Sequence, residues 1–522
     1  MTACPSRLNY AQYLATLNAG RAGKVAYDDG HRRLTYGQLA ERNARFAGLL
    51  RELGLRREER AMLLMHDTVD WPVAFLGALH VGVVPVAANT LLTPDDYAYM
   101  ITHSRSQAVF VSGALLGTLH DALSRCDHEV RHIIVSDPQP QQPTLPNLAY
   151  HVLEDGLATT PTVPAVDTSA DEIAFWLYSS GSTGQPKGVV HTHGNLWHTV
   201  ELYGKPVLGI QEDDIVFSAA KLFFAYGLGN ALTFPLSVGA SVVLLPGRPT
   251  PEAVFQRLTD FKPTLFCGVP TLYASMLAST ALPARDQVAL RICASAGEAL
   301  PKDLGERFTA HFGCHILDGI GSTEMLHIFL SNQDTDVHYG TTGKPVPGYE
   351  LELRDEHGTP VPAGVTGDLY IKGPSAALMY WHNNAKTRGT FLGDWLKSGD
   401  KYVRDEAGYY TYAGRSDDMI KVSGQYVSPV EVEGVLVEHE SVLEAAVVGL
   451  PNADGLVKTT AFVVLRPGQE PSDQIRTEIQ AYVKTHLAPF KYPRQIRFID
   501  ELPKTATGKI QRFRLRQMEH AT

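Results

Sequence analysis

Residues 178–188 read YSSGSTGQPKG and directly follow the apolar run at 173–177, which is typical of a buried strand. A glycine-rich backbone lets a ligand come close, and consecutive N–H groups in it can form an anion-binding concavity. The stretch therefore predicts an irregular loop that cradles a polyphosphate. The residues assigned to this loop are Ser179, Ser180, Gly181, Ser182, Thr183, Gly184 and Lys187.

Two other interpretations fit this stretch less well. A flexible Gly/Ser linker would not leave a buried strand directly, and it would not hold Lys187 beside Pro186. A Walker A loop needs a Gly-Lys pair followed by Ser or Thr, whereas here Lys187 precedes Gly188. The polyphosphate prediction therefore depends on what the rest of the chain adds.

The composition indicates a globular protein with more than one domain. The chain has 522 residues, of which 44% are hydrophobic and 20% are charged, and this length exceeds one ordinary core. The formal net charge of -10 argues against a sequence-independent nucleic-acid binder, so we expect no nucleic-acid partner. The 5 cysteines lack the spacing of a zinc site or a disulfide framework, which favours reduced thiols and a cytoplasmic location.

No segment is predicted to enter a membrane. The N-terminal residues lack the apolar core of a signal sequence. The weakly charged stretches 71–89 and 229–247 approach the length of a membrane span, but both contain Gly and Pro. Each is better interpreted as a buried helix that runs into a buried strand.

Alternating helix-like and strand-like patterns dominate the chain up to about residue 320. Residues 34–53 predict an amphipathic helix with Thr35 as its N-cap, and residues 137–168 predict a loop region. From Gly340 to Tyr412, strands punctuated by Gly and Pro take over. This pattern predicts an α/β fold with a large N-terminal domain of β/α-layered sheets plus a β-rich subdomain, followed by a small α+β C-terminal domain.

Ligands of such sheets bind beyond the carboxyl ends of the strands, and two segments are predicted to lie there. Residues 295–298 (SAGE) follow one predicted strand, and residues 318–324 (DGIGSTE) follow the next, which is predicted at 315–317. Thr323 offers a hydroxyl to a phosphate, and Glu324 offers the hard oxygen that Mg²⁺ prefers. Taken alone, Glu324 is equally well explained as a carboxylate at a helix N-terminus.

Three further features have simple structural explanations when each is taken alone. His191 and His193 could suggest a metal site, but no partner ligands follow at a suitable spacing, and a polar helix entry is preferred. Asp400 and Arg415 are compatible with a surface salt bridge beside turns. Lys504 and Lys509, in the segment LPKTATGKI, resemble solvated surface charges.

Taken together, these segments closely resemble the adenylate-forming superfamily, which includes acyl-CoA synthetases, luciferases and peptide-synthetase adenylation domains. The resemblance covers essentially the whole chain. It implies ATP and coenzyme A as co-substrates and Mg²⁺ as the metal. It also implies an N-terminal adenylation domain at residues 1–416 and a mobile C-terminal domain at residues 417–522, with Asp417 as the hinge.

The resemblance assigns roles to individual residues. Thr323, Glu324 and Lys509 would be catalytic, with Glu324 contacting the metal. Lys509 is favoured over Lys504 because it follows the glycine of the motif. Gly424 would line the tunnel for the thiol. The remaining ATP-binding positions would be Gly297, Glu298, Asp318, Gly319, Ile320, Asp400 and Arg415.

The segments KLFFAYGLGN (221–230) and DGIGSTEMLHIF (318–329) most resemble the benzoate–CoA ligase branch. That branch implies activation of benzoate to benzoyl-AMP and transfer to coenzyme A. The same chemistry on 4-hydroxybenzoate, 2-aminobenzoate or a cyclic aliphatic acid stays open. Two other functions also stay open, namely loading of a carrier protein and a non-catalytic role as a nucleotide sensor. The oligomeric state stays open between a monomer and a homodimer. The implied pocket residues are Ala225, Tyr226, Ala296, Gly321, His327 and Ile328.

Overall fold

The fold was analysed in a computed structural model. The structure describes residues 3–140, 144–181, 184–416, 418–422, 425–451, 457–487, 491–504 and 510–518. The chain forms two compact units. The first unit holds Met1–Tyr339, Gly343–Glu350 and Lys372–Leu396, and the second holds Gly340–Thr342, Leu351–Ile371 and Lys397–Thr522.

The regular elements are numbered in chain order. The strands are β1 Val25–Asp28, β2 Arg33–Thr35, β3 Arg60–Leu64, β4 Val84–Ala87, β5 Ser106–Ser112, β6 His132–Ser136, β7 Ala149–Val152, β8 Ile173–Gly181, β9 Gly184–Thr192, β10 Ile215–Ser218, β11 Ser241–Val243, β12 Leu265–Gly268, β13 Ile292–Ser295, β14 Ile316–Gly321, β15 Ile328–Ser331, β16 Lys344–Pro345, β17 Glu350–Arg354, β18 Gly367–Lys372, β19 Met379–Tyr380, β20 Phe391–Leu392, β21 Trp395–Arg404, β22 Tyr410–Arg415, β23 Ile420–Val422, β24 Gln425–Val427, β25 Val442–Pro451, β26 Val457–Leu465 and β27 Gln495–Phe498. The α-helices are α1 Tyr10–Leu17, α2 Tyr36–Glu52, α3 Asp70–Val81, α4 Pro94–Ser104, α5 Leu116–Leu123, α6 Leu153–Thr159, α7 His193–Thr199, α8 Ala225–Leu228, α9 Phe234–Val238, α10 Pro251–Asp260, α11 Pro270–Ala278, α12 Lys302–Phe312, α13 Asn384–Thr390, α14 Pro429–Glu438, α15 Asp473–His486 and α16 Arg512–Gln517. π-helical turns occupy Val200–Gly204 and Gly229–Thr233.

Two mostly parallel sheets form the first unit, which confirms the predicted β/α layering. One has the strand order β16-β15-β14-β13-β12-β10-β11-β1-β2, and the other has the order β19-β9-β8-β4-β3-β5-β6-β7. In the first sheet β10, β12, β13 and β14 run parallel, so their carboxyl ends meet at one edge. In the second sheet β8 and β9 form an antiparallel hairpin at one side, whereas β7 is the opposite edge strand.

Large aromatic side chains fill the core of the first unit. The Trp71 and Phe75 rings stack with centroids 5.1 Å apart, and Phe75 meets Phe175 of β8 edge-on. Helix α2 begins where the sequence predicts, because Thr35 and Gln38 form a capping box. Burial of such side chains stabilises each by about 2 kcal/mol.

Three local predictions are wrong. Residues 178–181 and 184–188 are not an irregular loop but parts of β8 and β9, because the backbones pair in the register Tyr178↔Gly188 and Ser179↔Lys187. The region 137–168 contains β7 and α6, since residues 149–152 pair with β6. Strand β14 extends to Gly321, because β15 folds back and pairs with it.

The second unit is described by itself. Strand β18 lies between β17 and β21, and β22 pairs with β21. Further along the chain, β23 pairs with β24, and β25-β26-β27 form a sheet covered by α14 and α15. The predicted domain boundary after residue 416 stays a prediction.

Among the described helices, none is long and apolar enough to cross a membrane.

Candidate functional site

The hairpin of β8 and β9 carries the predicted phosphate residues. Ser179 and Lys187 are register partners, and a bulge lies between Ser179 and Gly181. Bulges re-aim side chains and are common next to active sites. Ser182 and Thr183 lie outside the described residues. Ser180, Gly181 and Gly184 lie within the paired strands.

The carboxylate of Glu324 lies beside this hairpin. Its Oε1 atom accepts a hydrogen bond from the Ser179 hydroxyl at 3.4 Å and from the Tyr380 hydroxyl at 2.7 Å. The Lys187 Nζ atom lies 4.7 Å from the centroid of the Tyr380 ring, which allows a cation–π contact. Three of these side chains were predicted to act on phosphate or metal, and the structure brings them together around Tyr380.

Glu324 is held in place through its backbone as well. Its carbonyl accepts a hydrogen bond from Ala377 N at 2.7 Å, and the Ser322 hydroxyl accepts from Met325 N at 3.1 Å. Residues 324–327 form a turn that leads into β15, so the helix N-terminus considered for Glu324 is not present. The turn fixes the direction of the carboxylate.

His191 also braces this segment. Its Nε2 atom donates to the Thr323 carbonyl at 2.8 Å, and Phe175 stacks on its ring at 5.2 Å. Burial lowers the pKa of His191. The next residue, Thr192, caps α7 in a capping box with Asn195, which confirms the predicted polar helix entry.

The sequence reasoning missed two residues that position this site. Tyr380 contacts Glu324, and Ser375 donates to the Met325 carbonyl at 2.8 Å. The Asn195 amide donates to two carbonyls of the same segment, at Pro374 and Ala376. No local motif marks residues 374–380, because their partners lie about 50 residues away or more.

Several of the predicted ATP-binding residues lie at the ends of β13 and β14. Gly297 adopts a φ of 95°, and Ala296 is buried beside it. Asp318 pairs in register with Ser295, and burial raises the pKa of Asp318 well above its ordinary value. The remaining predicted residues at this edge are Glu298, Gly319 and Ile320.

Close packing, rather than open space for a ligand ring, explains two of the glycines in β14. A Cβ atom on Gly321 would lie 2.6 Å from the His327 carbonyl oxygen, and one on Gly319 would lie 2.9 Å from Ile328 Cγ2. These glycines let β15 return closely along β14.

The predicted acyl pocket is built on a helix with a π-helical turn. Helix α8 contains Ala225 and Tyr226, and the π-turn begins at Gly229. A Cβ atom on Gly229 would lie 2.3 Å from His327 Cδ2, so only glycine lets the imidazole pack there. Ala225, Gly229 and His327 line one narrow gap between side chains.

The His327 side chain is neutral, and only one of its two ring nitrogens makes a hydrogen bond with a described residue. Burial lowers its pKa to about 3, and its Nε2 atom donates to the Tyr226 carbonyl at 3.3 Å. The Nδ1 atom is therefore an acceptor, and it has no hydrogen-bond partner among the described residues. The Tyr226 hydroxyl is buried next to the Cys267 thiol, which is a weak partner.

In the second unit, Asp400 and Arg415 are register partners on β21 and β22. Their charged atoms lie 3.1 Å apart, and the Ser398 carbonyl also accepts from Arg415 at 3.3 Å. Gly399 has a φ of 81°, and a Cβ atom there would lie 2.9 Å from Arg415 Nη2. The ion pair considered above is therefore formed, with Asp400 buried and the Arg415 side chain partly exposed, but it joins two paired strands.

Asp417, Gly424 and Lys509 lie outside the described residues. Next to them, Asp418 pairs with Arg516 at 2.6 Å, and Lys504 is paired in register with Ile510. Lys504 makes an ion pair with Glu444 at 2.7 Å. Lys504 therefore has a structural partner of its own.

A metal held by protein side chains alone is not indicated in the described ranges, where no group of three or more His, Cys, Asp or Glu side chains has suitable geometry. One carboxylate is sufficient for Mg²⁺ when phosphate oxygens and water complete its shell. Glu324 fits that requirement, since it lies beside the hydroxyl of the phosphate hairpin.

The chain matches two family models. One is described as an AMP-binding enzyme and matches residues 15–381, and the other is described as the AMP-binding enzyme C-terminal domain and matches residues 431–509. The first match contains the hairpin, Glu324, Tyr380 and the helix with the π-turn.

Individual relatives are similar over nearly the full length. A benzoate–CoA ligase of Thauera aromatica is 55% identical, with 98% of this chain and 96% of that protein covered. A crystal structure of a benzoate CoA ligase from Burkholderia xenovorans LB400 is 62% identical, with a TM-score of 0.90 and 98% and 100% of the chains covered. An anthranilate CoA ligase in complex with anthranoyl-AMP is 41% identical, with a TM-score of 0.93 and 99% of each chain covered.

The buried His327 predicts a loss of stability in acid. Its pKa falls from 6.5 to about 3 on folding. Below pH 6.5 the unfolded chain takes up a proton that the folded chain does not, so the free energy of unfolding decreases as the pH falls from 6.5 towards about 3. His327→Gln keeps a donor for the Tyr226 carbonyl but cannot titrate in this range.

Urea unfolding of wild type and His327→Gln at about pH 7 and about pH 4.5 measures this effect. We expect the variant to lose less stability than wild type between the two conditions. Equal losses in the two proteins would contradict the assignment of His327 as a neutral buried side chain.

Proposed function

Because the chain belongs to the AMP-binding enzyme family, we propose that it is an aryl-CoA ligase that activates benzoate. In the first step benzoate and Mg-ATP give benzoyl-AMP and pyrophosphate. In the second step coenzyme A takes the acyl group, giving benzoyl-CoA and AMP. The observation that carries this proposal is the placement of Glu324 between the phosphate hairpin and the turn that leads to His327. Similarity to two benzoate–CoA ligases supports it.

The first step needs fixed positive charge and orientation rather than covalent catalysis. A carboxylate oxygen of benzoate attacks the α-phosphorus, and the bond from that phosphorus to the oxygen bridging the β-phosphate breaks. The electron pair leaves with pyrophosphate. Ser179 and Lys187, as partners across the hairpin, bind the phosphates that leave. Lys509 and Thr323 bind oxygens of the reacting centre.

Glu324 is the residue proposed to hold Mg²⁺ together with ATP. Its carboxylate is oriented by Ser179 and Tyr380 before any nucleotide binds. Bound Mg²⁺ supplies positive charge next to the phosphate oxygens. Tyr380 and Ser179 both donate to Oε1 of this carboxylate, so Oε2 is the oxygen that would bind the metal.

The nucleoside is proposed to contact other residues of the chain. Asp400 accepts hydrogen bonds from the ribose hydroxyls, as a carboxylate does well, and Arg415 holds it in orientation. The backbone at the ends of β13 and β14 contacts the adenine. The residues proposed there are Gly297, Glu298, Asp318, Gly319 and Ile320.

The acid is proposed to lie in the slot between α8 and β15. His327 is uncharged, and the rings of Tyr226 and Phe234 lie 5.7 and 4.5 Å from it. Such walls suit a flat apolar ring. Benzoate is therefore favoured over an acid whose ring carries a charged group and over a long-chain acid. The other residues proposed to line the slot are Ala225, Ala296, Gly321 and Ile328.

The second step needs access for a thiol instead of a lysine at the phosphate. The thiolate of coenzyme A attacks the acyl carbon, and the bond from that carbon to the AMP oxygen breaks. We assign residues 417–522 to a mobile domain that supports both steps in turn, with Asp417 as its hinge and Gly424 beside the thiol. This division follows the resemblance.

The direct test is AMP release by the purified protein with Mg-ATP, coenzyme A and a panel of acids. The panel contains benzoate, 4-hydroxybenzoate, 2-aminobenzoate, cyclohexanecarboxylate and a medium-chain fatty acid. We expect benzoate to give the highest kcat/KM and release to depend on coenzyme A. Tyr226→Ala should alter the order of the acids while the KM for ATP is kept.

Two outcomes would contradict the proposal. Turnover led by the fatty acid would exclude a flat slot. A proportional loss with all acids in Tyr226→Ala would show that this side chain does not select the acid. Turnover led by a substituted benzoate would keep the reaction and move the role of Tyr226 and His327 to binding the substituent.

Lys509 is expected to act in one half-reaction only. Lys509→Ala should lower benzoyl-AMP formation by roughly 100-fold or more, because a fixed positive charge at the reacting phosphate is lost. Thioester formation from supplied benzoyl-AMP should change little. Pyrophosphate exchange and thioester formation measure the two steps separately, with Lys504→Ala as the matched control. Equal loss in both steps would refute the role of Lys509.

A further inference from the structure

The hairpin that carries the phosphate residues has a neck, at which Tyr178 of β8 and Gly188 of β9 are register partners. His103, in the last turn of α4, lies beside this neck. Its Nδ1 atom lies 2.8 Å from the Tyr178 hydroxyl. Its Cε1 atom lies 3.6 Å from the place where a Cβ atom on Gly188 would be, so the ring faces the side of Gly188 where a side chain would stand.

A further hydrogen bond joins the same imidazole to Trp381, which directly follows β19 beside the hairpin. Trp381 N donates to the Gly188 carbonyl at 2.8 Å, and the Trp381 backbone makes a hydrogen bond with His103. Because a carbonyl can only accept, His103 donates to Trp381, and its Nδ1 atom shares a second hydrogen bond with the Tyr178 hydroxyl. One neutral ring therefore bridges the entry and the exit of the phosphate hairpin.

Helix α4 holds this ring in a fixed position. Thr93 and Asp96 form a capping box with Pro94 at the first turn, and Arg105 ends the helix in a left-handed conformation. Tyr99, one turn before His103, stacks on its ring at 5.2 Å. The Tyr178 hydroxyl also lies 3.3 Å from the Met100 carbonyl of the same helix.

We propose that His103 is a positioning residue that fixes the neck of the hairpin and thereby orients Ser179 and Lys187 for the phosphates of ATP. These two residues form the next register pair beyond the neck, so a shift at Tyr178 or Gly188 reaches them first. A site that is ordered before binding loses less conformational entropy when the ligand binds. The inference rests on the proposed function only in taking the ligand to be Mg-ATP.

The test compares binding of Mg-ATP by calorimetry in wild type and in variants of both partners. His103→Ala removes both hydrogen bonds, His103→Asn keeps a polar atom near the position of Nδ1, and His103→Gln keeps one near Nε2. Tyr178→Phe removes only the hydroxyl. We expect His103→Ala to weaken Mg-ATP binding by about five- to tenfold, and each of the other variants to weaken it less.

A second readout separates positioning from general damage to the fold. The KM for ATP in pyrophosphate exchange should rise in His103→Ala, whereas thioester formation from supplied benzoyl-AMP and the KM for benzoate should stay at their wild-type values. The matched control is His120→Ala. His120, on α5, also lies 2.8 Å from a tyrosine hydroxyl, that of Tyr150, but Tyr150 lies on β7, at the opposite edge of the sheet.

The outcomes are distinct. Partial retention of affinity in His103→Asn and His103→Gln, with wild-type affinity in His120→Ala, supports the proposal. Wild-type affinity for Mg-ATP in every folded His103 and Tyr178 variant would overturn it, as would equal losses in both half-reactions. If His103→Ala does not fold, His103→Asn and Tyr178→Phe decide the question. Nucleotide binding is measured without an acid. The effect of the His103 variants on Mg-ATP affinity can therefore be interpreted even if benzoate is not the substrate.

Discussion

The hydrogen bonds that converge on the Glu324 carboxylate join segments that lie far apart in the sequence. Ser179 comes from the phosphate hairpin, and Tyr380 comes from the strand that pairs with β9. The Glu324 backbone is held by Ala377. The turn that presents this carboxylate continues directly to His327, which we propose lines the slot for the acid. One acidic side chain thus connects the proposed phosphate site to the segment of the proposed acid site.

The conformation of the segment before Gly188 differs from what the sequence suggested. Its glycine and hydroxyl residues predicted an irregular loop that binds phosphate, and the phosphate role stays a prediction. Backbone pairing makes most of that segment a hairpin, with a bulge between Ser179 and Gly181. Local propensity could not foresee this, because the stabilising partner of β8 is β9, and Val190 of β9 pairs in turn with Met379.

Supporting residues were missed for a similar reason. Tyr380 and Ser375 act through partners that are distant in the sequence, and no spacing rule connects them. Gly229 looked like part of an apolar helix, yet it is needed because His327 packs on its backbone. Sequence motifs identify candidate ligand-binding residues. The residues that hold those motifs in place are identified only from tertiary contacts in the folded chain.

The most direct test of this account is the metal dependence of ATP binding in Glu324→Gln. Glutamine keeps an oxygen that accepts from Tyr380 but carries no charge, so the local structure is preserved. Calorimetry with ATP in excess Mg²⁺ and with ATP in the presence of a chelator measures the affinity for Mg-ATP and the affinity for metal-free ATP separately. The account predicts that Mg-ATP binding weakens by roughly 10- to 100-fold while metal-free ATP binding does not weaken. Equal loss in both conditions, or no loss in either, would contradict it.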